Sequence, residues 1–256
     1  MKLKEKLERH YLAFDKTRIS PDPLEFLHRY RIEQDIEAAG FISSVFAYGN
    51  VKQIINTLDS IFSLTDVGPY NFIMTFSSNE EHRLMKIKHR FYTGKDIVVF
   101  FRVLKRVCTE NESLRKFFVQ HYDGKEPNLK QAINYFSNSM IEYAEEESKL
   151  TNGIKFMFPL PSLGSACKRI NLFLRWMIRK DELDFGLWKE IPPSKLIIPV
   201  DTHIARICQE LKLTSLKNVN WKMAEEITNN LRKFDPEDPV KYDFAICHIG
   251  MRKLKF

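Results

Sequence analysis

Two segments hold residues whose types and spacing could do chemistry. The first is Gly164-Ser165-Ala166-Cys167-Lys168-Arg169-Ile170, a turn with one glycine that runs into an apolar stretch. A lysine at such a helix start, beside a buried face, can be partly desolvated, which frees its amine as a nucleophile. The second is Val200-Asp201-Thr202-His203-Ile204, reached through the apolar run that starts at Leu196. That run delivers Asp201 to the start of a helix, where its carboxylate caps backbone N–H groups and the helix dipole keeps it ionised. An ionised carboxylate on a rigid element can stabilise positive charge that develops on a substrate. Each residue also has a plain reading: a solvated lysine on an amphipathic helix, and a simple helix cap.

Other groups cluster in the same segments. Leu172, Arg175 and Arg179 follow Lys168 at helical spacing, on roughly one face. Backbone N–H groups at the Gly164–Ser165 turn are placed to hold a phosphate, as helix starts do. Arg169, Lys195, His203 and Arg206 add candidate phosphate contacts around the two segments.

Helical periodicity dominates the elements that must position these groups, and alternating strand-like runs are scarce. The expected helices are 2–14, 23–30, 33–48, 51–64, 68–76, 80–88, 95–109, 112–121, 129–145, 164–180, 185–189, 202–211, 220–233 and 239–253. The stretches 148–163 and 181–200, rich in proline, read as irregular connections. The expectation is an all-α protein with a lobe over 1–150 and a second over 151–256 that carries Lys168 and Asp201.

Composition narrows the class. Of the 256 residues, 44% are hydrophobic and 29% charged, ordinary for a globular protein. The net charge is +7; residues 1–150 hold 22 Lys/Arg against 21 Asp/Glu, and residues 151–256 hold 18 against 12. The surplus therefore sits in the lobe with the candidate chemistry, where it would attract a polyanion. The four cysteines, Cys108, Cys167, Cys208 and Cys247, form no CxxC pair, so neither a zinc site nor an iron–sulfur cluster has its usual spacing. No metal and no cofactor are expected. No apolar run reaches the ~18 residues of a membrane span, and the charged N-terminus lacks an apolar signal segment. These features give the expectation of a cytoplasmic monomer with no membrane partner.

Val200-Asp201-Thr202-His203 resembles the Val-Asp-Thr-His segment of the helix-hairpin-helix, Gly/Pro…Asp superfamily of DNA glycosylases, whose aspartate is catalytic. The segment 160–168 is similar to the hairpin, with Ser162 in place of the first glycine of the endonuclease III pattern. Lys168 precedes Asp201 by 33 positions (201 − 168), and Cys167-Lys168-Arg169-Ile170 resembles the Gln-Lys-Thr-Ile segment of the archaeal 8-oxoguanine DNA glycosylases. That likeness places the Schiff-base lysine at Lys168. Asp243-Phe-Ala-Ile-Cys-His-Ile-Gly250 is similar to their C-terminal Asp-x-x-x-Trp-x-x-Gly helix, with Cys247 in place of the tryptophan. The resemblance thus implies a base pocket of Asp243, Cys247 and Leu172. Phe41–Gln53 occupies the place of a helix end that enters the DNA stack in endonuclease III; Tyr48, Asn50 and Gln53 are its candidates here. His89-Arg90-Phe91-Tyr92-Thr93-Gly94 is also rich in groups that could touch DNA. Gly-Ser-Ala-Cys-Lys-Arg at 164–169, Pro-Ser-Lys-Leu-Ile-Ile-Pro at 193–199 and Asp-Pro-Glu-Asp-Pro-Val-Lys-Tyr-Asp-Phe at 235–244 make the whole chain similar as well to a bacterial family of unknown function in this superfamily.

The resemblance implies a two-lobed fold with the active-site cleft between the lobes. It implies excision of an oxidised purine such as 8-oxoguanine from duplex DNA, with strand cleavage through a lysine Schiff base. Two alternatives stay open: a catalytically silent nucleic-acid-binding module of the same fold, and a basic lobe that docks an acidic partner.

Overall fold

The computed structural model describes residues 2–13 and 15–251. In chain order its helices are α1 (Leu3–Tyr11), α2 (Glu33–Phe46), α3 (Val51–Phe62), α4 (Pro69–Met74), α5 (Ser78–Leu84), α6 (Gly94–Asn111) and α7 (Leu114–Val119). They continue with α8 (Lys130–Glu147), α9 (Asn152–Met157), α10 (Lys168–Ile178), α11 (Thr202–Glu210), α12 (Trp221–Arg232) and α13 (Asp243–Met251). Pro23–Arg29, expected as α-helix, is a 3-10 helix with Asp22 as its cap. The protein is all-α: among the described residues the only β features are two isolated bridges, His89–Tyr92 and Lys180–Phe185. No described helix is long and apolar enough to cross a membrane. The expected helix end at 252–253 lies outside the described residues.

The chain forms two compact units. One comprises Ser20–Asp123 and Gln131–Pro159. Its core is aromatic: Phe26, Phe41, Phe46, Phe100, Phe101, Phe118 and Phe136 are fully buried around α2 and α6. Rings there meet edge to face, as Phe41 does with Phe136 at 5.5 Å and 89°.

The other unit comprises Met1–Ile19, Gly124–Lys130 and Leu160–Phe256. Its core holds Trp176, Trp188, Trp221 and Tyr242. The N-terminal helix joins this unit because α1 packs on α13: Tyr242 donates to Glu8 at 2.5 Å, and Lys241 pairs with Glu8 at 3.0 Å. Lys195 donates to the carbonyls of Gly124 and Glu126, at 2.8 and 2.6 Å, so it secures the 124–130 segment.

Three expectations about elements are corrected. The residues 185–189 are not helical, because the chain folds back on the end of α10: Phe185 N donates to Trp176 O and Trp188 N to Met177 O, both at 2.9 Å. The helix expected from 164 begins at Lys168, since Gly164 and Cys167 both take left-handed backbone. The stretch 148–163 is not wholly irregular but contains α9, capped by Thr151.

Candidate active site

A tight turn leads into α10. Pro161–Leu163 makes one 3-10 turn, which Gly164 ends at φ 85°. A Cβ there would meet no atom within 4 Å, so glycine answers the backbone conformation and not a shortage of space. The Gly164 N–H goes to Pro161 O at 3.0 Å, and the Ser165 N–H to Leu160 O at 3.3 Å. Both N–H groups are used inside the turn, which corrects the expectation that they hold a phosphate. The turn is tied down on its other side, where Gly164 O accepts from Trp221 N at the start of α12 (3.1 Å). Cys167 then adopts φ 49°, ψ 38° without being glycine. Such backbone costs an L-residue roughly 1–2 kcal/mol, and it stands directly before Lys168, the first residue of α10.

Asp201 is the N-cap of α11. Its Oδ1 accepts from His203 N and Ile204 N, each at 2.9 Å, and its Oδ2 lies 2.9 Å from Lys168 Nζ. One carboxylate oxygen thus serves the helix and the other serves the lysine. The two side chains are 32% and 34% exposed, so the pair is held by the fold yet accessible. Burial works to raise the Asp201 carboxyl, but Lys168 beside it and the Ile204 N–H outweigh that and hold it below the usual aspartate value. Asp201 is therefore ionised at neutral pH. A primary amine held against an ionised carboxylate can add to an electrophilic carbon while the carboxylate takes up a proton or steadies a cation. The neighbouring thiol is no rival nucleophile: burial pushes Cys167 up to about 12.

The cap makes a separable prediction. Asp201→Ala loses both cap bonds and about 1 kcal/mol of stability. Asp201→Asn keeps an oxygen for the cap and loses less. Urea unfolding of the two variants checks the order.

Below the pair lies a buried ion network. Arg175, two turns along α10, pairs with Asp243 of α13 and reaches Asp184 at 3.3 Å. Arg179 pairs with Asp184, with Asp238 at 2.8 Å and with Asp181 at 3.0 Å. Burial pushes the Asp243 carboxyl up to about 6, against the pull of Arg175 and, more weakly, of Lys168. Asp243 therefore lies within electrostatic reach of the Lys168–Asp201 pair. Leu172, one turn beyond Lys168, and Cys247, one turn beyond Asp243, are half-buried.

A family described as "Protein of unknown function (DUF2400)" matches residues 22–252. The chain belongs to this family. No curated protein and no solved structure matches it. The family match spans the turn, the Lys168–Asp201 pair and the ion network together.

The remaining expected site residues are placed as follows. Arg206 is exposed on α11, as a phosphate contact requires. Arg169 is buried, and Lys195 is committed to carbonyls of its own unit; neither is set out for a phosphate, which corrects both readings. His203 is half-buried, and its Nε2 is buried with no hydrogen-bond partner, so that nitrogen is turned from solvent. In the other unit, Asn50 caps α3 through Lys52 N at 3.0 Å, and Gln53 is exposed on that helix. The Tyr48 hydroxyl donates to His89 O at 3.0 Å and accepts from Phe91 N at 3.2 Å, so Tyr48 is a packed turn residue. Sequence reasoning missed the left-handed backbone of Cys167 and the ion pairs of Asp184. The spacing of Arg175 and Arg179 on an apolar helix, followed by Asp181-Glu182-Leu183-Asp184, was the available signal for the second of them. Among the described residues no group of three His, Cys, Asp or Glu side chains is gathered as a metal site.

Proposed function

We propose that the protein is a DNA glycosylase with lyase activity that excises an oxidised purine, such as 8-oxoguanine, from duplex DNA. The observation that carries this reading is the 2.9 Å approach of Lys168 Nζ to Asp201 Oδ2, with each residue at the first turn of its own helix. The strained Cys167 backbone beside the lysine adds support, since such strain gathers at functional sites. The turn before α10 and its junction with α12 suit the hairpin of a helix-hairpin-helix glycosylase, and the all-α architecture is compatible with one.

In this reading the target nucleotide leaves the stack, because its glycosidic bond is inaccessible within it. The bond from sugar to base breaks, and the base departs with the electron pair and gains a proton. Asp201 steadies the cationic sugar. Lys168 releases the proton that the departing base takes up, and its free amine forms the new bond to the sugar carbon. Ring opening to the Schiff base makes the neighbouring C–H acidic, so β-elimination can cleave the strand. In this reading the base pocket is the one the resemblance implies, with Asp243, Leu172 and Cys247 as its walls, and Asp243, buried and paired with Arg175, would have to be uncovered for a base to meet it.

Borohydride trapping tests this on duplexes carrying 8-oxoguanine, uracil, an abasic site or no damage. A covalent adduct on the 8-oxoguanine duplex is the expected result. An adduct on the abasic duplex alone retains the lyase chemistry and overturns the choice of base. No adduct and no base release on any duplex overturns the reading.

A further inference from the structure

The turn His89–Tyr92 carries two exposed side chains, Arg90 and Phe91. His89 and Tyr92 bridge each other through two backbone hydrogen bonds, at 2.8 and 3.1 Å, which leaves Arg90 and Phe91 at the tip. Phe91 is 63% exposed. Beside it stands Phe156 of α9, 42% exposed, with ring centroids 5.9 Å apart. Tyr48 lies nearly parallel to Phe91, at 6.2 Å and 18°. The Arg90 guanidinium sits 5.4 Å from the Tyr48 ring centroid and 5.6 Å from that of Phe91. It crosses Gly49, where a Cβ would come within 2.6 Å of it.

Hydrogen bonds lock this cluster from behind. His89 is buried and takes Thr57 Oγ1 on one nitrogen at 3.0 Å and Tyr48 O on the other at 3.2 Å. Buried Asp96 accepts from Thr93 N at 2.7 Å, just past the Phe91 turn, and from Thr151 Oγ1 at 2.5 Å, at the cap of the helix that carries Phe156. One carboxylate therefore fixes the elements bearing both exposed rings. The sequence around the rings is rich in cations: residues 86–95 contain Lys86, Lys88, Arg90 and Lys95, and Lys155 adjoins Phe156, while the Asp96 carboxylate is buried behind them. Rigid exposed rings set among cations suit a ligand with flat apolar faces on an anionic backbone.

We propose that the exposed ring of Phe91, buttressed edge to face by Phe156 at 87°, backed by Tyr48 and flanked by Arg90, is the platform on which an unpaired nucleobase of DNA stacks. This rests on the proposed function only in taking DNA as the ligand; the platform belongs to the other unit and needs neither Lys168 nor Asp201. Phe91 holds the base face, and Arg90 meets the adjoining phosphate.

The test uses the full chain and fluorescence anisotropy. One duplex carries 2-aminopurine opposite a stable abasic analogue, and a second is fully paired. Phe91→Ala weakens binding of the first about fivefold or more, and of the second by less than about twofold, and it abolishes the quenching of 2-aminopurine. Phe91→Trp restores both. Arg90→Gln weakens both duplexes and lowers the salt slope by about one. Phe91→Ala binding the unpaired-base duplex like the unaltered protein, with quenching unchanged, overturns the proposal. So does binding to anionic lipid vesicles that Phe91→Ala abolishes while oligonucleotide binding is kept. Borohydride trapping of the same proteins on an abasic duplex separates the two ideas. Trapping with no effect of Phe91→Ala on binding defeats the platform alone, and stacking without trapping defeats the glycosylase alone.

Discussion

Lys168→Gln abolishes the borohydride adduct and lowers strand cleavage by at least about a thousandfold, in line with the loss of a covalent nucleophile. The α11 cap uses Asp201 Oδ1 and the backbone N–H groups of His203 and Ile204, so it persists without the lysine. The pair is about a third exposed, so its contribution to stability is small, about 1 kcal/mol or less. Activity and stability therefore separate, and circular dichroism with urea unfolding shows a folded, inactive protein. The pH dependence has a definite sign. Asp201 has a lowered carboxyl in the folded protein, so its contribution is present above the ordinary aspartate value of 3.8 and is lost as pH falls through the folded value. Lys168→Gln removes the largest lowering influence on it. The stability difference between the two proteins is then greatest near neutrality and closes in acid. Retention of full cleavage by Lys168→Gln sinks the assignment of the nucleophile.

Legibility from sequence depended on how local the cause was. Asp201 was readable because an N-cap is a relation between neighbours: an apolar run, an acid, and the helix it starts. Lys168 was readable as a helix-start residue, but its partner was not, since the 2.9 Å approach depends on how α10 and α11 pack. The cations show the limit most plainly. Arg169, Lys195 and Arg206 look alike in sequence, yet one is buried, one holds the Gly124 and Glu126 carbonyls and one is exposed. The left-handed Cys167 gave no sign, because that backbone favours glycine or asparagine. Helix α9 was hidden by Gly153, which reads as a breaker. Here the glycine serves a close approach, since a Cβ would lie 2.6 Å from Asp96 Oδ2. The N-terminal helix was assigned with 1–150, although its partners Lys241, Tyr242 and Asp181 stand late in the chain.

Arg175→Met destabilises the protein by about 3–5 kcal/mol, because removing one partner of a buried ion pair strands the charge that remains. One buried carboxylate is stranded here, Asp243, while Asp184 loses its 3.3 Å contact with Arg175 but keeps Arg179. Methionine fills much of the space, so the loss is electrostatic more than volumetric. Arg175→Lys keeps the charge but cannot reach both acids with one planar fork, and it falls between the two. The sign with pH is opposite to that for Asp201. Asp243 already titrates at about 6, above the ordinary 3.8, so its stability contribution is full at low pH and is lost as pH rises through 6. Without Arg175 its carboxyl rises further, and the deficit of Arg175→Met grows from about pH 5 to about pH 8. Adding Asp243→Asn to Arg175→Met removes the stranded charge and recovers part of the loss, most strongly at the higher pH. Urea unfolding of the three variants at both values measures this, and a deficit below about 1 kcal/mol at the higher pH defeats it. The network also bears on the candidate chemistry. Arg175 and Lys168 share α10, and Asp243 is the acid that Arg175 draws toward that helix, so the ion pair holds a buried carboxyl, raised by its burial, within electrostatic range of the amine.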